Sequence, residues 1–347
     1  MSILIGVIFH IVGGFCAGSF YLPLKKVSGW AWESYWIVNG VVAWLLLPLA
    51  VVAWLVPNVG LVFASTDAFD LLLPYCFGVL WGIGGVTFGL TMRYLGMALG
   101  MSLALGLTAI IGTLVPPAYS GELQAILGTT SGKITILGVS LILLGILVCG
   151  YAGYQRETSG ETDNAADSGV VEFNLLRGSV VALIAGLMSA CMAFGIAAGK
   201  PIAHTAMELG VNPIWQHIPV FVVIFLGGLT TNLLWCIREN LKNRTVGDYL
   251  NTDVNLARNY LLCAAAGAIW YGQFLFYGVG ATFMGDYEFV GWSLHMGSIV
   301  IFSSIWGFVV GEWGGASRQT LAINLSGLAA LIFAVSVIGY GSYLGLS

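Results

Sequence analysis

The sequence predicts an all-α integral membrane protein with about ten transmembrane helices, arranged as two five-helix repeats of inverted topology. Three observations predict it. Charged residues make up 8% of the chain and hydrophobic residues 58%. Ten apolar runs are each long enough to cross a bilayer. The second half of the chain also echoes the first.

Composition decides the solvent. A soluble domain carries roughly 25% charged residues, and 347 residues with so few charges could not cover a water-facing surface. Twelve Trp, 48 Gly and a mean hydropathy of +0.92 agree with lipid. The net charge of −4 comes with no basic patch, so nothing suggests a nucleic-acid partner. Cys16, Cys76, Cys149, Cys191, Cys236 and Cys263 lie in or beside apolar runs without a C-x-x-C pair. They read as packing residues, and no metal or cofactor is expected. The first apolar run has no basic residue before it and meets Lys25 and Lys26 rather than a small-residue cleavage site, so it reads as a retained helix.

About 20 apolar residues cross the roughly 30 Å of hydrocarbon. The qualifying runs are 3–22, 34–56, 70–92, 97–118, 134–154, 176–198, 213–237, 259–281, 290–311 and 320–343. They do not alternate and are about twice strand length, which excludes a barrel. A polar, acidic linker with Glu157, Glu161, Asp163, Asp167 and Glu172 splits the runs five and five. Residues 1–154 then form one repeat, 155–175 the linker and 176–347 the second repeat.

The halves share spacing. Gly78-Val-Leu-Trp81 resembles Gly267-Ala-Ile-Trp270, and Gly138 through Gly150-Tyr151 resembles Gly327 through Gly339-Tyr340, both at an offset of 189. An odd number of helices per unit forces tandem copies to insert with opposite orientations, and such transporters hold their solute near the midplane between repeats. With the N-terminus outside, ten of the twelve Lys and Arg residues fall in odd-numbered connections and only Lys133 and Lys200 in even ones. That bias places both termini on the periplasmic side.

Candidate chemistry starts with exclusions. Gly128-Thr-Thr-Ser-Gly-Lys-Ile134 is one residue short of a phosphate-binding loop and has Ile134 where Ser or Thr must reach Mg²⁺. Transport would therefore draw on an ion gradient or a partner. Lys200, His204 and Glu208 share a helix face and read as a solvated interfacial segment rather than a metal site. Polar groups at membrane depth are costly, hence functional candidates: His10, Asn39, His217, Asn232, Gln273, His295 and Asn324. Any single Asn or Gln can equally tie two helices together.

Trp270, Gln273, Phe274 and Tyr277 run i, i+3, i+4, i+7 and form one stripe; the third run carries Trp81, Gly84, Gly85 and Phe88. Aromatic faces with a few amide and hydroxyl groups suit a sugar, whose C–H faces stack while its hydroxyls bond. The competing reading is helix packing or lipid contact. His10 and His295 titrate near neutrality without help. Glu33 and Glu288, at the mouths of spans, would need burial to do so. Gly14/Gly18, Gly78/Gly82, Gly96/Gly100 and Gly307/Gly311 are G-x-x-x-G pairs that allow close helix approach.

Several distinctive strings resemble the bacterial L-rhamnose–proton symporter family of the drug/metabolite transporter superfamily. They are Phe20-Tyr-Leu-Pro-Leu-Lys-Lys26 with Trp30-Ala-Trp-Glu33, Leu90-Thr-Met-Arg-Tyr-Leu-Gly-Met97, Gln273-Phe-Leu-Phe-Tyr277 and Trp292-Ser-Leu-His-Met296. The resemblance runs from the first helix to the last. It implies ten helices in two inverted repeats and proton-driven uptake of L-rhamnose or a closely related sugar across the bacterial inner membrane. On that reading the substrate-binding residues are Trp270, Gln273, Tyr277, Asn39, Trp81 and Phe88. The proton carriers come from Glu33, Glu288, His10 and His295. The partners are sugar, protons and lipid, and the coupling proton takes the place of a cofactor. Competing classes are an exporter of amphiphiles or metabolites from the same superfamily and a non-transporting membrane sensor or membrane enzyme.

Overall fold

A computed structural model describes residues 2–95, 97–158, 174–311 and 313–345, and their regular structure is entirely helical. Most of the linker lies outside the described residues, as do Gly96 and the side chains of Arg93 and Asp286. The spans are α1 (Ser2–Ser19, continued by Tyr21–Leu24), α2 (Trp32–Leu55), α3 (Ala68–Leu95), α4 (Met97–Tyr119) and α5 (Thr130–Thr158). They continue with α6 (Leu175–Ala198), α7 (Ile218–Asn243), α8 (Leu256–Thr282), α9 (Val290–Val309) and α10 (Arg318–Leu344).

Among the described residues nine helices are long and apolar enough to cross a membrane, and α4 supplies a tenth when counted with the short helix after it. That short helix, Glu122–Gly128, turns away by 100°. Pro116 and Pro117 weaken the last turn of α4, and Gly121 takes φ +78°, a left-handed conformation that glycine adopts freely.

Helix starts follow local capping chemistry. Asn174, Asn255 and Ser317 accept from the backbone N–H groups of Arg177, Arg258 and Thr320, satisfying donors that a first turn leaves open. Pro219 sits in the first turn of α7, where its missing N–H costs nothing. The helix therefore begins at Ile218. His217 precedes that first turn and lies within the seventh span, Pro213–Asn243, as the sequence predicts.

α1 packs on α8 and α9, α6 on α3 and α4, α7 on α3 and α2, and α5 on α10. Two of the glycine pairs make these crossings close. A methyl on Gly14 or Gly18 would run into Ser298 or Phe302 of α9, and one on Gly78 or Gly82 into Ile224 or Thr231 of α7. Gly311 serves differently, with φ +81° in the turn after α9.

Three contacts tie odd-numbered connections together on one face. Asn174 N–H donates to the Tyr94 carbonyl (3.1 Å), Asn259 Nδ2 to the Ser28 carbonyl (2.8 Å), and the Arg156 guanidinium lies over the Trp313 ring (4.9 Å). Lys25 and Lys26 are exposed on this basic face, so they count toward the charge bias.

Candidate functional site

The α8 stripe faces inward. Trp270, Gln273, Phe274 and Tyr277 are all buried, which removes the lipid-facing reading for them. They divide the interior into an aromatic half and a polar half.

The aromatic half is built around Trp270. Its ring lies 5.7 Å from Trp81 and 5.5 Å from both Trp44 and Phe225, and Trp44 and Trp81 meet edge to face at 5.9 Å. Trp44 was not singled out from sequence. It lies in a π-turn over Val42–Leu46, where the Leu47 N–H reaches back to the Val42 carbonyl. Pro48 gives the cause. It has no N–H for the Trp44 carbonyl and its ring would strike that carbonyl, so α2 widens by a residue. Among the described residues the Trp44 indole N–H is buried without a hydrogen-bond partner, as are both amide atoms of Asn39 one turn earlier. The Asn39 backbone carbonyl lies against Gly267 of α8.

The polar half lies one to two turns farther along α8. His295 Nε2 and Gln273 Oε1 are 3.3 Å apart. Tyr277 stands edge-on to His10 (4.8 Å), to His295 (5.5 Å) and to Trp292 (5.9 Å). Both ring nitrogens of His10 and Nδ1 of His295 are buried without partners among the described residues. Close packing aims the imidazoles, since Gly291 leaves room for His10 and Gly13 for His295. Trp292 donates its indole N–H to the Thr108 carbonyl (3.1 Å), and Ser293 bonds Thr113 of α4 (2.6 Å), so the polar half is anchored on the first repeat as well.

The structure brings together Trp81, Trp270, Gln273, Tyr277, His10 and His295. Other candidates lie elsewhere. Phe88 is half-buried seven residues beyond Trp81, toward Tyr94. Tyr277 is seven residues beyond Trp270 toward the opposite face. At 1.5 Å per residue the two diverge by about 10 Å each from the Trp81–Trp270 contact.

Glu33 lies at the basic face. Its Oε1 accepts from Asn243 Nδ2 (3.0 Å) and Thr245 Oγ1 (2.8 Å). Beside it, Asp248 Oδ2 accepts from the Ala31 N–H (2.8 Å) and Ser34 Oγ (2.7 Å). Trp30 packs edge to face on Tyr249 and Tyr260, and burial there pushes the Tyr249 phenol above its ordinary value. These contacts form a latch between the α1–α2 connection and the α7–α8 connection.

Glu288 lies at the opposite face. It borders an open pocket of about 640 Å³ lined by Lys200, His204, Gln216, His217, Thr282 and Glu288. His204 and Lys200 are well exposed, in keeping with a solvated helix face. No cluster of three His, Cys, Asp or Glu able to hold a metal ion occurs among the described residues.

The interior therefore gathers flat aromatic faces, an amide, a phenol and two imidazoles in one dry cluster. The family model for the L-rhamnose-proton symport protein (RhaT) matches residues 1–343. The chain belongs to that family. Its relatives include proteins named L-rhamnose-proton symporter from Yersinia pestis (strain Pestoides F) and Yersinia pseudotuberculosis serotype O:3 (strain YPIII), each 38% identical over 344 residues and 98% of both chains. Another from Shigella boydii serotype 18 is 38% identical over 346 residues, again 98% of both. These relatives are named as transporters, not enzymes. The strings that carry the resemblance have distinct places in the fold. Gln273–Tyr277 and Trp292–His295 meet in the polar half, whereas Trp30–Glu33 forms the latch.

Proposed function

We propose that this chain is a secondary active transporter that takes up L-rhamnose, or a closely related sugar, together with protons across a bacterial inner membrane. Membership of the symporter family along nearly the whole chain carries this reading. The exporter and sensor readings are not favoured by it. The basic face is cytoplasmic under the charge rule, and the face with the pocket is periplasmic.

The sugar binds between two five-helix units, residues 1–154 and 176–347, joined by 155–175 and related by inverted topology. Helix pairing supports this. Exchanging each helix for the one five places later turns the α1–α8 and α1–α9 contacts into α6–α3 and α6–α4, turns α2–α8 into α7–α3, and leaves α5–α10 unchanged; all of these pairs are in contact. Trp81 and Trp270 occupy matching positions 189 residues apart and touch at the centre.

In this reading Trp270 and Trp81, with Trp44, form the stacking bed, and Gln273, Tyr277 and Asn39 bond the hydroxyls. Unpartnered buried amide and imidazole atoms support it, because such groups cost about 1–3 kcal/mol each unless something satisfies them. Phe88 stays a candidate only for a state in which the solute has moved toward the basic face. Among the proton candidates His10 and His295 touch this bed, Glu288 borders the pocket, and Glu33 holds the latch.

The test is uptake of labelled L-rhamnose into proteoliposomes under an inward proton gradient. Concentrative uptake, competed by L-lyxose but not D-glucose and collapsed by an uncoupler, is expected. Accumulation that persists without a proton gradient would remove the coupling, and no uptake by folded protein would remove the sugar. Gln273→Ala should cut uptake while leaving the yield of folded protein intact; unchanged uptake would mean the bed is misplaced.

A further inference from the structure

The pocket on the face opposite the latch ends on a buried imidazole. His217 precedes the first turn of α7, and its side chain is 9% exposed. Its Nε2 lies 4.0 Å from Glu288 Oε1, while Glu288 Oε2 lies 3.9 Å from Lys200 Nζ. Glu288 is itself 29% exposed, so the carboxylate has one side in the pocket and the other toward the imidazole. Protonating His217 would complete an alternating row, Lys200 cation, Glu288 anion, His217 cation.

The same imidazole backs onto the interior. Gly278 of α8 packs against His217 and Phe221, and the residue before it is Tyr277, whose ring touches both His10 and His295. Among the described residues, the titratable and charged groups around His217 are Glu288 from the α8–α9 connection, Lys200 from the α6–α7 connection, Tyr277 from α8 and His10 from α1. His204 and Glu208, paired with each other at 3.5 Å, stand farther out on the rim.

We propose that His217, held by Glu288, takes up the coupling proton from the open pocket and is a coupling residue distinct from the sugar bed. This rests on the proton-symport reading above. The pair stands between water and the interior histidines, and it is the point where an ionisable group of the pocket touches α8 beside Tyr277. A plain structural ion pair would have no reason to govern energy coupling.

Two assays on the full-length protein in proteoliposomes separate the possibilities. One is exchange of labelled for unlabelled L-rhamnose at equal pH, which needs binding and turnover of the carrier but no net proton flow. The other is accumulation under an inward gradient of about one pH unit, which supplies about tenfold concentrating power per proton. His217→Gln should keep exchange and lose accumulation, bringing the internal-to-external ratio to about one. Glu288→Gln should weaken accumulation in the same direction, with exchange retained.

Gradient-driven accumulation by His217→Gln at the unmodified level would overturn the proposal. Loss of both assays in His217→Gln shifts the decision to Glu288→Gln: selective loss of accumulation there supports the pair, and loss of both or of neither overturns it. Failure of the unmodified protein to exchange L-rhamnose would strike the sugar assignment instead, so the two failures are distinct.

Discussion

Removing the Glu33 carboxylate should open the basic face. Glu33 is buried and accepts two hydrogen bonds, from Asn243 and Thr245, across the joint between the α1–α2 and α7–α8 connections. Hydrogen bonds to a charged group contribute about 1.5–3 kcal/mol each. The lower figure applies at the membrane rim, where water can replace part of what is lost, so Glu33→Ala should cost the closed latch about 3 kcal/mol. That is a shift of roughly 100-fold toward the open form. Cys263 is the native reporter, fully buried in the small apolar cluster of Leu24, Trp30 and Ala266 beneath the latch. Its labelling by a membrane-impermeant thiol reagent, followed by mass spectrometry, should accelerate about 100-fold when opening is fast compared with labelling. Cys149, buried between α5 and α10, should not change and so controls for general loosening. Unchanged labelling of Cys263 in folded Glu33→Ala protein would refute the latch.

Further perturbations separate binding from packing. Trp44→Phe keeps a ring against Trp81 and Trp270 but removes the unpartnered indole N–H. Thermal stability should hold while the apparent affinity for sugar in the exchange assay weakens about threefold to tenfold, the worth of one neutral hydrogen bond. Gly78→Ala would push a methyl into the Ile224 carbonyl and force α3 from α7, costing about 1–3 kcal/mol and lowering the unfolding temperature in detergent. Gly85→Ala, with nothing among the described residues within 4 Å of the added carbon, should leave that temperature unchanged.

The spans were legible because crossing hydrocarbon demands a minimum apolar length, and length survives any error in boundaries. The α8 stripe was legible for a similar reason: a spacing of three and four residues fixes a face. Which way that face points was not, since aromatic residues suit lipid, helix packing and a sugar alike. Trp44 escaped because the π-turn inserts a residue, and a pattern searched at 3.6 residues per turn loses register there. Pro48, four residues after Trp44, was the available signal. The place of His217 in the seventh span was legible because the apolar run includes it, and Pro219 marks the first turn of the regular helix that follows. Glu33 and Glu288 had similar settings in the sequence, each an acid opening a span. Their difference comes from tertiary partners that no local pattern encodes, two neutral donors for one and a lysine and an imidazole for the other.

That difference bears on how the two faces open. Under the inverted-repeat reading, the latch between the α1–α2 and α7–α8 connections has a counterpart between the α6–α7 and α2–α3 connections. There the short helix Lys200–Glu208 packs on the short helix Val59–Ser65. The two seams are chemically unlike. The latch closes through directional bonds to two carboxylates, Glu33 and Asp248. Its counterpart closes through Ile202, Ala203 and Ala206 in the same apolar cluster as Val62. Apolar surfaces slide with little directional cost, whereas a bonded carboxylate must lose its donors before it parts. The pocket face should therefore open readily to collect sugar and protons. The basic face should stay shut until binding deeper in the protein offsets the cost of breaking the latch. An uncoupled leak of sugar is then prevented mainly at one end, and a protein lacking Glu33 should show it as downhill rhamnose flux that no longer depends on the proton gradient.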